Sequence, residues 1–149
     1  MRIAIEHPNQ PEVIQLIEDL DAYQKPLYPA ESHHGIDMDA LSQPNVLFAV
    51  IRNDDGVAIG CGAIVLEPEY GELKRMFIRP ENRGQGLSKR LLAFLEDQAR
   101  TKGCKVFTLE TGIYQPQALG LYERSGYKRC APFGNYKPDP MSVFMMKTM

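Results

Sequence analysis

Only three cysteines, at positions 61, 104 and 130, occur in 149 residues, and no two stand at a spacing that would pair them around a metal. We therefore expect reduced thiols in a cytoplasmic protein, and no bound metal. An excess of charge is missing too. Seventeen Lys and Arg stand against nineteen Asp and Glu, a formal net charge of −2, so neither nucleic acid nor an anionic membrane is an expected partner. No apolar run comes near the roughly 20 residues that span a bilayer. The opening Met-Arg-Ile-Ala-Ile-Glu meets a charge at Glu6 and a proline at Pro8, so no signal peptide is expected. Repeats, low-complexity tracts and linker-like stretches are absent as well. One domain over residues 1–149 is expected, long enough to bury a sizeable core.

What is present alternates between two periods. Residues 2–6 read as a short strand. Asn9 and Pro11 look like a helix start, and Val13, Ile14, Ile17 and Leu20 follow at helical spacing until Pro26 and Pro29 forbid continuation. A second short helix is expected over residues 36–41. Residues 46–52 and 57–67 are β-rich runs joined by Asn53-Asp-Asp-Gly56, a hairpin signal, and a further turn at 68–71 leads to a third strand over 72–78. Leu87, Leu91, Leu92, Leu95 and Ala99 form an amphipathic helical stripe closed by Gly103. A strand at 105–110, a helix at 116–125 and closing strands at 127–131 and 142–148 complete the order βααβββαβαββ. That order predicts one mixed, mostly antiparallel α/β sheet with helices on both faces.

Between the third strand and the long helix lies Arg79-Pro-Glu-Asn-Arg-Gly-Gln-Gly-Leu-Ser88. A glycine-bearing loop that opens directly into a helix suits an anion. The first-turn N–H groups lack intrahelical partners and the helix dipole favours negative charge there. Gly84 and Gly86 permit close approach, and Arg83 and Lys89 add positive charge. Two glycines before a helix are equally the form of an ordinary turn. The dinucleotide fingerprint and the Walker lysine pattern are both missing.

Together with its surroundings the segment resembles motif A of the GNAT superfamily of N-acetyltransferases, as Arg83-Gly-Gln-Gly86-Leu-Ser88. Ser88 departs from the Gly or Ala of that pattern but remains small. The preceding Glu72-Leu-Lys-Arg-Met-Phe-Ile-Arg-Pro80 looks like the family's fourth strand, and Leu121-Tyr-Glu-Arg-Ser-Gly-Tyr127 like its second cofactor motif. The resemblance implies acetyl-CoA (coenzyme A) as co-substrate. Its pyrophosphate would lie on Arg83, Gly84, Gln85, Gly86, Leu87, Ser88 and Lys89, and its pantetheine arm along the backbone of Met76, Phe77 and Ile78. Gln115 stands where similar proteins often carry a cofactor-contacting asparagine.

Acetyl transfer to an amine must remove a proton from the ammonium and supply one to the leaving thiolate. The resemblance gives the second task to Tyr122 and the first to Glu72, with Glu110 as runner-up, and puts an oxyanion-holding N–H near Met76, where the family's strand bulges. A packing tyrosine and an exposed strand-end carboxylate are the plain alternatives.

The acceptor would be a primary amine of a small molecule or peptide, attacked directly in a ternary complex. Tyr28, Glu31, His33 and His34 in the first interhelical segment, Arg75 on the third sheet strand of the hairpin series, and Tyr136 before the last strand are candidate acceptor contacts. Lys74 or Arg75 is expected to pair with Glu72, Glu110 or an anionic substrate group. A catalytically silent acyl-CoA sensor, and a protein lysine or N-terminal acetyltransferase, remain open alternatives, as does assembly into a homodimer.

Overall fold

The computed structural model describes residues 1–29, 32 and 37–148. Strands β1 (Arg2–Ile5), β2 (Val46–Arg52), β3 (Ala58–Leu66), β4 (Gly71–Ile78), β5 (Val106–Gly112), β6 (Lys128–Arg129) and β7 (Ser142–Thr148) form one sheet in the order β1-β2-β3-β4-β5-β7-β6. Every neighbouring pair is antiparallel except β4 and β5. Helices α1 (Pro11–Gln24), α2 (Met38–Leu41), α3 (Leu87–Thr101) and α4 (Pro116–Arg124) cover it.

Side-chain alternation explains the double layer of helices. On β2, Leu47, Ala49 and Ile51 join the cluster that contains Leu91, Leu92 and Leu95 of α3. Phe48 and Val50 join the opposite cluster, with Val13, Leu16, Ile17 and Leu20 of α1 and Leu41 of α2. A strand buried on both faces reads as a continuous apolar run, as Val46–Arg52 does. The expected sheet with helices on both faces is the one observed.

Boundaries moved where local hydrogen bonds decide them. Gln10, not Asn9, precedes the first residue of α1. Asp37 caps α2 through the Ala40 N–H at 2.8 Å, so that helix starts at Met38; the expected start at Ile36 lies outside the described residues. Asn53 Oδ1 accepts from the N–H of Asp55 and of Val57, which holds Val57 in the turn and delays β3 to Ala58. The expected strand over 127–131 is two residues long, because Pro132 follows closely and has no N–H to extend the ladder.

Candidate active site

The parallel register of β4 and β5 runs only from Gly71–Phe107 to Leu73–Leu109. Beyond it β4 stays with β3 while β5 stays with β7, through Glu110–Phe144, Thr111–Val143 and Gly112–Ser142. The two strands part and leave a wedge. A bulge helps to open it. The β3–β4 register shifts between Cys61 and Ala63, and Arg75 takes a left-handed φ of 58°. Close packing fixes the bulge from behind, since a Cβ at Gly62 would overlap the Met76 thioether and crowd Leu91 and Leu95 of α3.

The wedge is a cleft of about 590 Å³. Glu72, Lys74, Arg75 and Met76 of β4 face Leu109 to Gly112 of β5 across it, and Tyr122, Gln115 and Asp21 border it from α4, its cap and α1. Glu72 is only 9% exposed. Its Oε2 accepts a 2.6 Å hydrogen bond from the Tyr136 hydroxyl and lies 3.3 Å from Lys74 Nζ. Lys74 Nζ in turn donates to the Tyr136 oxygen at 2.6 Å. The expected pairing of Lys74 with Glu72 is therefore present, and Arg75 pairs with Asp21 of α1. Glu110 accepts from the Ser142 hydroxyl at 2.8 Å.

Tyr122, 6% exposed, lies edge-on to Tyr127 with ring centroids 5.8 Å apart. Its hydroxyl has no hydrogen-bond partner among the described residues, and the side chain lines the cleft. Burial pushes this phenol well above its ordinary value, so it stays protonated at neutral pH.

Tyr28 closes the α1 side. Its ring lies over Gly112, where any Cβ would collide with it. Its oxygen accepts from the Tyr114 N–H at 3.1 Å and approaches Gln115 Oε1 at 3.5 Å. Gln115 Oε1 also accepts from the Gly112 N–H at 3.2 Å, so its carbonyl braces the β5–α4 corner. Glu31, His33 and His34 lie outside the described residues. Sequence reasoning missed Asp21 and Gly112. Asp21 stands four residues after Ile17, on the margin of the buried stripe of α1, and that spacing was the available signal. For Gly112 no local signal exists, because its neighbour Tyr28 comes from a distant segment.

At the far end of β4 the chain passes Pro80 and enters α3 through Gly84 and Gly86, at φ 81° and 74°. Neither glycine is crowded, so positive φ is the reason for both. The N–H groups of residues 84–89 make no backbone hydrogen bond among the described residues, and the first one of α3 runs from Arg90 N–H to Gly86. Consecutive free amides at a helix head form an anion-binding concavity. Arg83 donates through Nε to the Ile78 carbonyl at 2.9 Å and stacks over Tyr23 and Phe77, which holds its charge beside the loop. Leu87 turns its side chain into the core, while Ser88 and Lys89 stay in reach of solvent. Glu72 and the loop sit at opposite ends of β4, about 20 Å apart at roughly 3.3 Å per residue.

No helix among the described residues is long and apolar enough to cross a membrane. A solved structure from Klebsiella pneumoniae, assigned as an acyl-CoA N-acyltransferase, superposes with a TM-score of 0.84 at 42% identity over 99% of this chain and 96% of the other. The PaiA N-acetyltransferase of Thermoplasma acidophilum, solved with coenzyme A, shares the fold at a TM-score of 0.73 and 18% identity over 100% of both chains. In sequence the chain is 48% identical to an IAA acetyltransferase of Azospirillum brasilense over 99% of this chain and 97% of that protein. It is 32% identical to the uncharacterized N-acetyltransferase YsnE of Bacillus subtilis over 100% of both. The sequence profile of the acetyltransferase (GNAT) family matches residues 13–127, from the first turn of α1 to the end of the α4 motif, and the chain therefore belongs to that family and is an acyltransferase.

Proposed function

We propose that the chain carries an acetyl group from acetyl-CoA to a primary amine of a small molecule or peptide, both substrates being bound at once. The observation that carries this reading is the parting of β4 and β5, which sets a carboxylate, Glu72, and a phenol, Tyr122, on the walls of one cleft. The cradle at residues 84–89 suits the pyrophosphate, and the run of β4 from Met76 to Ile78 beyond its last β5 pair suits an extended arm. The coenzyme A held by the Thermoplasma protein supports the same co-substrate.

The chemistry balances within the cleft. The amine nitrogen attacks the thioester carbonyl carbon, a C–N bond forms and the C–S bond breaks. Glu72 takes the proton the nitrogen must lose, and Tyr122 supplies one to the departing thiolate. A backbone N–H at the β4 bulge holds the transient oxyanion. A covalent acyl-cysteine route finds no support: Cys61 is fully buried with its thiol pushed up to about 12 by burial, and none of the three cysteines borders the cleft.

Thiol release from acetyl-CoA, measured against amino acids, polyamines, aminoglycosides, peptides and the compound named for the Azospirillum relative, tests this. Turnover with at least one amine, absent in Glu72→Gln, is expected. Tight acetyl-CoA binding with no acetylation of any member would favour a sensor instead.

A further inference from the structure

Tyr136 reaches Glu72 from the segment between β6 and β7, and little about its placement is free. Its ring meets Phe133 edge-on at 5.2 Å and Phe144 of β7 at 5.4 Å, and Phe133 is itself pinned by Tyr70 at 5.5 Å. This aromatic packing fixes the ring and points the hydroxyl at the base. The hydroxyl accepts from Lys74 Nζ and donates to Glu72 Oε2, both at 2.6 Å. Charge-assisted hydrogen bonds of this length are strong and directional. They occupy one carboxylate oxygen only. Glu72 Oε1 has no partner among the described residues, on a side chain that lines the cleft.

We infer that Tyr136 is a positioning residue for the base: with Lys74 it locks Glu72 Oε2 and presents Oε1 to the acceptor amine. This rests on the proposed role of Glu72 as base. It reassigns Tyr136 from a direct acceptor contact to a group acting through another. One consequence follows from the geometry. The carboxylate cannot rotate away from the attacking nitrogen, because the Tyr136 hydroxyl bonds Oε2 and Lys74 Nζ pairs with the same oxygen at 3.3 Å. Arg75, the other cation of β4 facing the cleft, is matched by Asp21 of α1. Lys25, Tyr28 and Asp37 border the cleft from the α1 end and ahead of α2, and Tyr122 from α4, with no hydrogen bond to Glu72 among the described residues.

Tyr136→Phe keeps the ring and its packing while deleting both hydrogen bonds. Steady-state acetylation of the best acceptor across pH ~5–9 should show kcat reduced about 10- to 100-fold, a part of what a positioned base supplies, with acceptor KM little changed. Lys74→Met should lower kcat in the same way, again with acceptor KM little changed. A raised KM with kcat unchanged would make Tyr136 an acceptor contact. A kcat loss that comes with a lowered Tm and that Lys74→Met does not share would make it a packing residue. Either result overturns the inference. Glu72→Gln separates this from the reading beneath it. If that variant keeps wild-type kcat, the base assignment fails; if it loses turnover while Tyr136→Phe keeps wild-type kcat, only the positioning role fails.

Discussion

Tyr122 brings together two properties that a general acid needs: a proton that burial keeps in place, and a hydroxyl with no hydrogen-bond partner among the described residues. Tyr122→Phe removes only the oxygen and leaves the edge contact with Tyr127. Turnover should fall by about 10²- to 10⁴-fold, while acetyl-CoA affinity, which the proposed reading assigns to the cradle, should hold within a factor of about three in equilibrium binding. Unchanged turnover would remove the acid role. Gly112 is a different kind of residue, defined by what must not be there. A methyl at that point collides with the Tyr28 ring, whose hydroxyl also secures the Tyr114 N–H. Gly112→Ala should raise acceptor KM and cost about 1–3 kcal/mol as overpacking does, read as a lowered Tm. Wild-type values of both would mean that Tyr28 swings clear. That Tyr122 and Glu72 line one cleft was legible because both sit in recognisable local strings. Gly112 was not, because its restriction comes from a side chain that the fold, not the sequence order, brings to it.

At the scale of elements, periodicity carried most of the reading. The stripe from Leu87 to Ala99 lies buried on α3, and the Asn53-Gly56 hairpin lies where its residues demand. What stayed illegible was the parting of β4 from β5. The loss of register after Leu73 goes with the bulge at Arg75, and no local string marks it, since β3 and β7 hold the two strands along their other edges. The polar seam under α3 was hidden for a similar reason. Glu96, 4% exposed, receives the Tyr127 hydroxyl at 2.7 Å, Lys147 Nζ at 3.0 Å and Arg100 at 3.7 Å. Only Arg100 is near it in sequence. This seam ties α3 to β7 and to the strap after α4. Glu96→Gln leaves a cation and a phenol poorly matched, and breaking such a buried pair costs about 3–5 kcal/mol. Lys147 keeps some solvent contact, so the lower figure applies, equivalent to a Tm drop of roughly 6–12 °C. Glu96→Leu with Lys147→Met should recover part of it in calorimetry. A drop below about 2 °C in the single variant would show the seam to be electrostatically idle.

Across the whole molecule, packing raises three phenols above their ordinary value: Tyr122 and Tyr127 are buried, and Tyr136 is half-buried against Phe133 and Phe144. Tyr122 is raised by burial alone, Tyr127 by burial and then by the Glu96 carboxylate, and Tyr136 by burial and then by its bond to Glu72. An unfolded tyrosine loses its proton near pH 10. Below that pH the phenols are protonated in both states and contribute no pH dependence. Above it the unfolded chain releases protons that the folded chain retains, so unfolding becomes more favourable as pH rises. Each unit separating the two states is about 1.4 kcal/mol per phenol. Their contribution to stability should therefore be level from about pH 7 to 9 and fall steeply beyond about pH 10. Lysines titrate in the same range, so the phenol share must be isolated by substitution. Tyr122→Phe and Tyr127→Phe should each flatten the alkaline decline of Tm, and a folded-state absorbance titration near 295 nm should show fewer phenolates at pH 11 than the seven tyrosines would give if exposed. All seven ionising together near pH 10 before unfolding would defeat the prediction, because it would mean that the ring packing around the cleft admits water freely.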